Sequence, residues 1–316
     1  MDELSALEMI GSLLGEAGDD AAVVDGLVLT TDMLHETTDF PKGITRYTAG
    51  WRAVGASLSD VAAMGAEAVA AVAVYGAPSL EEAELRAFVR GASDVCDRAG
   101  ARYVGGDLDI HEEFTVAAAA LGRVSRPVYR SGARAGDAVY VTGTLGRTGA
   151  ALRLDDPTER ERLNALFRFD PRVDAGLAIA PAASAMIDSS DGLARSLHQL
   201  AKASGCGFSV DRDRIPIHPA VEELADDRNE REDMAFFCGE DYELVFTAPR
   251  DALAAVRDGI PVSVTEIGEA TDTGAVRVDG EALPNRGYAH SRPSSGVDLE
   301  GDGVKAEDTE NESEQT

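Results

Sequence analysis

The stretch GDDAAVVDGLVLTTDML, residues 18–34, contains two short apolar runs that meet at Asp25-Gly26. This dipeptide is favoured in two-residue hairpin turns, where both central residues take positive φ. With residues 25 and 26 as the turn, cross-strand partners sum to 51. Asp20 then faces Thr31 and Asp19 faces Asp32, so carboxylates and hydroxyls converge at the open end of the hairpin. Opposed carboxylates repel unless something cationic sits between them, and clustered hard oxygens suit magnesium. The same residues also fit a strand that simply ends at an acidic surface.

Further strands are expected over Val69–Tyr75, Phe114–Val124, Val139–Thr142, Ala185–Ile187, Tyr242–Thr247 and Val262–Ile267. Helical stretches lie between them. Residues 46–64 carry Trp51, Val54, Leu58 and Val61 as one apolar stripe at helical spacing, and 80–99 and 193–203 are similar. Strands alternating with helices predict an α/β (α+β) protein, and 316 residues exceed what one compact core usually serves. The polar, glycine-rich RSGARAGD (130–137) places a domain boundary, giving units at 1–136 and 137–292. Residues 293–316 are rich in Ser, Gly, Asp and Glu, and are expected to be a disordered acidic tail.

The formal charge is −28, and only Lys42, Lys202 and Lys305 are lysines. An acidic, lysine-poor surface stays hydrated in high salt, where screening weakens self-repulsion; a salt-loving organism, such as an archaeon, is the expected source. Nucleic acid is a poor partner for this surface, since phosphate binding needs basic stripes. No apolar run is long enough for a membrane span, and the acidic start MDELSALEMI is unlike a signal peptide, so a cytoplasmic protein is expected. Cys96, Cys206 and Cys238 fit no zinc or disulfide spacing and read as reduced packing residues. So acidic a surface repels ATP, and any phosphate bound would have to be bridged by metal ions.

Four more places could carry chemistry. Asp60 in ASLSDVAAMG lies opposite the apolar stripe of its helix, on a face that is either solvated or lines a cleft. Tyr103-Val-Gly-Gly-Asp107 reads as a short strand ending in two glycines and an aspartate, where glycines let a backbone approach a ligand and the carboxylate sits at the strand's carboxyl end. In MIDSSDGL (186–193) Asp188 closes an apolar strand, whereas Ser189, Ser190 or Asp191 could cap the following helix. GEDYEL (239–244) puts three carboxylates around the start of a strand. A P-loop motif is missing, and GTLGRTG (143–149) lacks its lysine, which favours an ordinary turn. Neither a protein-kinase signature nor a histidine triad is present.

Together these stretches resemble one family. GDDAAVV (18–24), TTDML (30–34), GASLSDVAAMGA (55–66), GGD (105–107), RSGARAGD (130–137), IDSSDGLA (187–194) and GEDYELVF (239–246) are similar, in order and spacing, to thiamine-monophosphate kinases. That family sits within the fold group of aminoimidazole ribonucleotide synthetase. The resemblance implies a two-domain fold whose N-terminal α/β domain binds ATP and magnesium and forms a homodimer through its sheet, followed by a C-terminal α/β domain. It also implies a phosphotransferase reaction, ATP plus thiamine monophosphate giving ADP and thiamine diphosphate, with several Mg2+ ions as cofactors.

By position, the implied metal ligands are Asp20, Thr30, Thr31, Asp32, Asp60, Asp107, Asp188 and Asp191. Gly106, Asp107, Arg130 and Ser190 would hold the nucleotide; Asp39, Glu240 and Tyr288 would meet the thiamine substrate; and Asp32, Asp107 and Arg130 would carry the chemistry. Many relatives have His at position 39 and Trp at 288. The alternatives are a sister ATP-dependent phosphotransferase of the same fold and a non-catalytic metal- or nucleotide-binding protein. Residues 1–41 contain neither the cysteine nor the lysine that selenophosphate synthetase would need.

Overall fold

The computed structural model of the protein describes residues 3–14 and 17–288. After helix α1 (Glu3–Leu13), strands β1 (Ala22–Val24) and β2 (Leu27–His35) form the expected hairpin. Ala22 pairs with Leu29, Val23 with Val28 and Val24 with Leu27. Asp25 and Gly26 take φ of 52° and 78°, so the turn is of the expected type with both central residues left-handed. The ladder stops at Ala22. Asp19 and Asp20 are therefore not held opposite Asp32 and Thr31 by strand pairing, as the register alone had extended them; the chain bends away and both carboxylates turn elsewhere.

Helix α2 (Arg46–Ala63), β3 (Glu67–Ala77), helix α3 (Glu82–Arg98), β4 (Arg102–Ile110) and β5 (Thr115–Arg123) complete the first unit. Its sheet runs β1-β2-β5-β3-β4, with β4 at an edge. On β5, Val116, Ala118, Ala120 and Gly122 point inward and are buried. Their small size lets α2 sit close: a Cβ on Gly122 would stand 2.7 Å from Val61 Cγ1. Most of α2 is buried, including Ser57, Ser59 and Arg52 as well as the apolar stripe. Asp60 is thus not on a solvated face, because the second unit covers the polar side of its helix.

The second sheet contains β6 (Ala138–Thr142), β7 (Ala185–Asp188), β8 (Gly207–Val210), β9 (Leu244–Ala248), β10 (Val264–Thr271), β11 (Val276–Val278) and β12 (Glu281–Ala282). They are ordered β12-β11-β8-β10-β6-β9-β7. Helices α4 (Arg147–Ala151), α5 (Arg160–Phe167), α6 (Val173–Ile179) and α7 (Leu193–Ser204) precede or follow these strands. Most expected strand boundaries move by one or two residues, as in β3, which runs Glu67–Ala77. Strand β9 begins at Leu244, because Tyr242 has φ of 56°, and β10 begins at Val264 and runs on to Thr271. Tyr140 and Met186 of the second sheet join the core cluster of the first unit, so the two pack together. The expected tail lies outside the described residues.

The outer face of the first sheet is apolar and uncovered. Leu29, Met33, Val72 and Val74 are 40–56 % exposed, with Val104 of β4 beside them.

Candidate active site

Three carboxylates from three distant segments meet beneath the hairpin. Asp20 follows the bend before β1, Asp60 lies near the end of α2, and Asp188 closes β7. One oxygen from each lies within 4.8 Å of the others. Asp20 and Asp188 are 8 % and 1 % exposed, so water does little to screen them. Burial, followed by the charges of Asp32, Asp188 and Asp20, holds Asp60 well above the usual carboxylate range, against a hydrogen bond from Thr30. Burial and then Asp20 raise Asp188 to about 7, while the Ser59 hydroxyl and Arg130 act against the rise.

Local donors fix each member of the cluster. Ser59 Oγ donates to Asp188 at 2.7 Å, and Ser57 Oγ donates to Asp32 at 2.7 Å. Arg130 grips Asp20 with two nitrogens, Nη2 at 2.9 Å and Nε at 3.2 Å. Its backbone N–H donates to both oxygens of Asp19, at 3.1 and 3.2 Å. Burial opposes the Arg130 charge, yet Asp20 and its neighbours outweigh this and keep the guanidinium firmly protonated. Burial and Asp20 lift Asp19 to about 6. One guanidinium beside so many carboxylates leaves a surplus of negative charge, and hard oxygens this close together suit a small divalent cation such as Mg2+.

A second group lies where the loop after β7 meets the loop before β9. The Glu240 N–H donates to Ser190 O at 2.6 Å, and the Tyr288 N–H donates to Asp191 O at 3.1 Å. Tyr288 Oη reaches across to Asp39 Oδ1 at 2.8 Å. Asp39 is buried and also accepts from the His35 N–H at 2.7 Å and from Thr38 Oγ1 at 2.8 Å. All three expected acceptor contacts therefore sit beside the Ser190-Asp191 turn or are tied to it. Asp191 pairs more loosely with Arg195, at 4.0 Å.

The three carboxylates of residues 239–244 separate by role. Asp241 accepts the backbone N–H groups of Gly146 and Thr148, the latter at 3.0 Å, so the glycine-rich turn at 143–149 cradles the protein's own carboxylate. Glu243 accepts from Arg172 Nε at 2.7 Å and from Thr142 Oγ1 at 2.7 Å. Only Glu240 remains at the site, paired with Arg52 Nη2 at 2.9 Å. The sequence reading passed over Ser57, Ser59 and Arg52; their sole signal was their place on the same helix as Asp60.

Three expected residues, Gly106, Asp107 and Thr31, do not join the cluster within one chain. Gly106 and Asp107 lie on edge strand β4, and Asp107 is exposed, with Oδ1 accepting from the Leu108 N–H at 2.9 Å. Asp107 pairs in register with Val74, an outer-face residue, whereas Asp32 points inward. Gly106 serves strand pairing, since a Cβ there would fall 1.7 Å from Ala73 O. Thr31 also points outward, its hydroxyl donating to Ala118 O at 2.8 Å. It lines an open depression of about 410 Å³ together with Asp19, Asp20 and Leu29.

Residues 18–124 match the AIR synthase related protein N-terminal domain, and 134–281 match the corresponding C-terminal domain. The chain is 56 % identical to the thiamine-monophosphate kinase of Halobacterium salinarum, over 92 % of this chain and all of that one. The chain belongs to the thiamine-monophosphate kinase family. Another family member, from Methanospirillum hungatei, is 38 % identical over 92 % of this chain and 99 % of its own. The solved structure of AaThiL complexed with AMPPCP and TMP superposes with a TM-score of 0.83 at 30 % identity, covering 92 % of this chain and 97 % of that one. Among the described residues no helix is long and apolar enough to cross a membrane.

Proposed function

We propose that this chain transfers the γ-phosphoryl group of ATP directly to thiamine monophosphate, giving ADP and thiamine diphosphate. The meeting of Asp20, Asp60 and Asp188 beside Arg130, in a member of this family, carries the reading. AaThiL, solved with AMPPCP and TMP, supports the same pair of substrates. Asp20, Asp60 and Asp188, with Thr30, Thr31, Asp32 and Asp191 around them, would hold several Mg2+ ions. When bound, those ions supply the positive charge that offsets repulsion between two polyanions. Arg130 would add a fixed charge, and Ser190 would contact the nucleotide. The acceptor phosphate is largely a dianion near neutral pH, its second pKa being about 6, so no side chain need create the nucleophile. Positioning by Glu240, Asp39 and Tyr288 then favours in-line transfer.

Gly106 and Asp107 enter this reading through a homodimer. The exposed apolar face of the first sheet supports such pairing, and the depression with Thr31 and Asp20 opens on that face. A second copy covering it would bring the partner's β4 edge toward the cluster. On this reading residues 1–136 bind ATP and metal and dimerise, while 137–292 supply Asp188, Ser190 and the acceptor loop. The charge of −28 with three lysines supports a cytoplasmic protein adapted to high salt.

The test is ATP turnover with thiamine monophosphate and Mg2+ in molar KCl, with product read by chromatography. Thiamine diphosphate that forms with Mg2+ and vanishes with EDTA is the expected result. Folded protein that makes none would overturn the acceptor assignment and favour a sister phosphotransferase of the same fold.

A further inference from the structure

We infer that Arg52 is a positioning residue that sets the geometry of the acceptor side of the site through Glu240. This rests on the proposed role of Glu240 in holding the acceptor. Arg52 sits on α2 two turns before Asp60 and is fully buried, an unusual place for a guanidinium. It touches Glu240 twice, with Nη2 2.9 Å from the carboxylate and 3.2 Å from the backbone oxygen. Nη1 donates to Phe167 O at 2.6 Å, and the guanidinium lies 3.7 Å from the centroid of the Phe167 ring. The charge and its direction are therefore both fixed, which a planar fork does and a single ammonium does not.

The loop it holds does not hold itself. Gly239, Glu240 and Tyr242 have φ of 74°, 56° and 56°, and the latter two are side chains in a region that disfavours them. Its ties come from three segments. Arg52 and Thr148 Oγ1 donate to Glu240 O, the N–H groups of Gly146 and Thr148 and Arg147 Nη2 donate to Asp241, and the Glu240 and Tyr242 N–H groups reach Ser190 O and Ser189 O. Stability alone is a weak reason for the arrangement, because a buried ion pair seldom outperforms an apolar core. Arg52 Nε, moreover, finds no hydrogen-bond partner among the described residues. What the arrangement does achieve is connection. One rigid helix orients Asp188 and Asp32 through Ser59 and Ser57, and orients Glu240 through Arg52. The carboxylates that would hold donor-side metals and the acceptor-side carboxylate are thus set by one element.

The test is steady-state kinetics of the full chain in high salt with Arg52→Met, Arg52→Lys and Phe167→Leu. Arg52→Met should raise KM for thiamine monophosphate about tenfold or more, with KM for ATP changed less than about twofold. Arg52→Lys, keeping the charge without the fork, should recover part of the loss. Phe167→Leu leaves both charges and loosens only the platform, so it should show the same selectivity at smaller size even if Arg52→Met fails to fold. Equal changes in both KM values, or none in a folded variant, would overturn the inference. Hydrogen exchange at Glu240 and Tyr242 should quicken in Arg52→Met or Phe167→Leu whatever the acceptor is, and unchanged exchange would also overturn it. Absence of turnover by the unmodified protein would remove the acceptor assignment alone, leaving exchange to decide the role of Arg52.

Discussion

Magnesium should stabilise the folded protein much more in mild alkali than in mild acid, and Asp188 gives the size of the difference. Its folded pKa of about 7 exceeds the ordinary 3.8, because burial and Asp20 disfavour its charge. Between those values the folded state binds a proton that the unfolded chain has released. Stability without metal is therefore greatest below the lower value and falls as pH rises through the upper one. A gap of this width corresponds to on the order of 4 kcal/mol. At about 2 °C per kcal/mol for a chain of this length, that is a fall of roughly 8 °C in Tm. A bound divalent cation removes the penalty, so the gain from Mg2+ should be small near pH 4 and approach that size by about pH 8. The assay is calorimetry in molar KCl, with Mg2+ or EDTA, at a series of pH values. High salt screens the exposed acidic surface and leaves the buried cluster little affected. Asp188→Asn, which keeps the shape and removes the charge, should flatten the EDTA curve. A Tm gain from Mg2+ that is equal at both ends of the series would refute the reasoning, as would an unchanged slope in Asp188→Asn.

Other outcomes follow from the same geometry. Asp241→Ala leaves the buried N–H groups of Gly146 and Thr148 without an acceptor; it should cost about 3–5 kcal/mol in salt-dependent denaturation. Gly106→Ala would press a Cβ to 1.7 Å from Ala73 O. The β3–β4 edge must then part, and amide exchange along β4 should rise sharply with the metal response of Asp188 retained. Leu29→Arg with Met33→Arg, on the exposed apolar face, should shift the sedimentation coefficient to that of a monomer. If the GGD edge acts across a dimer, turnover should fall at least about tenfold with it.

How far the site could be read from residues alone depended on which partners were local. The hairpin register was legible because two turn residues determine every pair beyond them, and the structure keeps that pairing as far as Ala22. Asp188 was legible as a carboxylate at the end of an apolar strand. Its partner Ser59 was not, since a serine within a helix is ordinary until the strand it meets is known. In GEDYEL the three acids are equivalent in sequence. Arg172 and the N–H groups of residues 146 and 148, which remove two of them from the site, come from elsewhere in the chain. Asp107 lies within β4, which runs on to Ile110, rather than at the end of a short strand, and the pairing irregularity between Ala71 and Ala73 changes the strand's alternation there. Which face it takes could not be counted from the pattern.

The hydrogen bond between Tyr288 and Asp39 joins positions 249 residues apart in the chain. A growing polypeptide presents Asp39 early and Tyr288 only near the end of the described chain. Asp188 closes β7, which pairs with β9, so the three-carboxylate cluster is not framed until Leu244–Ala248 has emerged. The acceptor pocket cannot close until almost the whole sequence has been made. Synthesis order thus leaves any partial chain without the clasp that completes the proposed thiamine side.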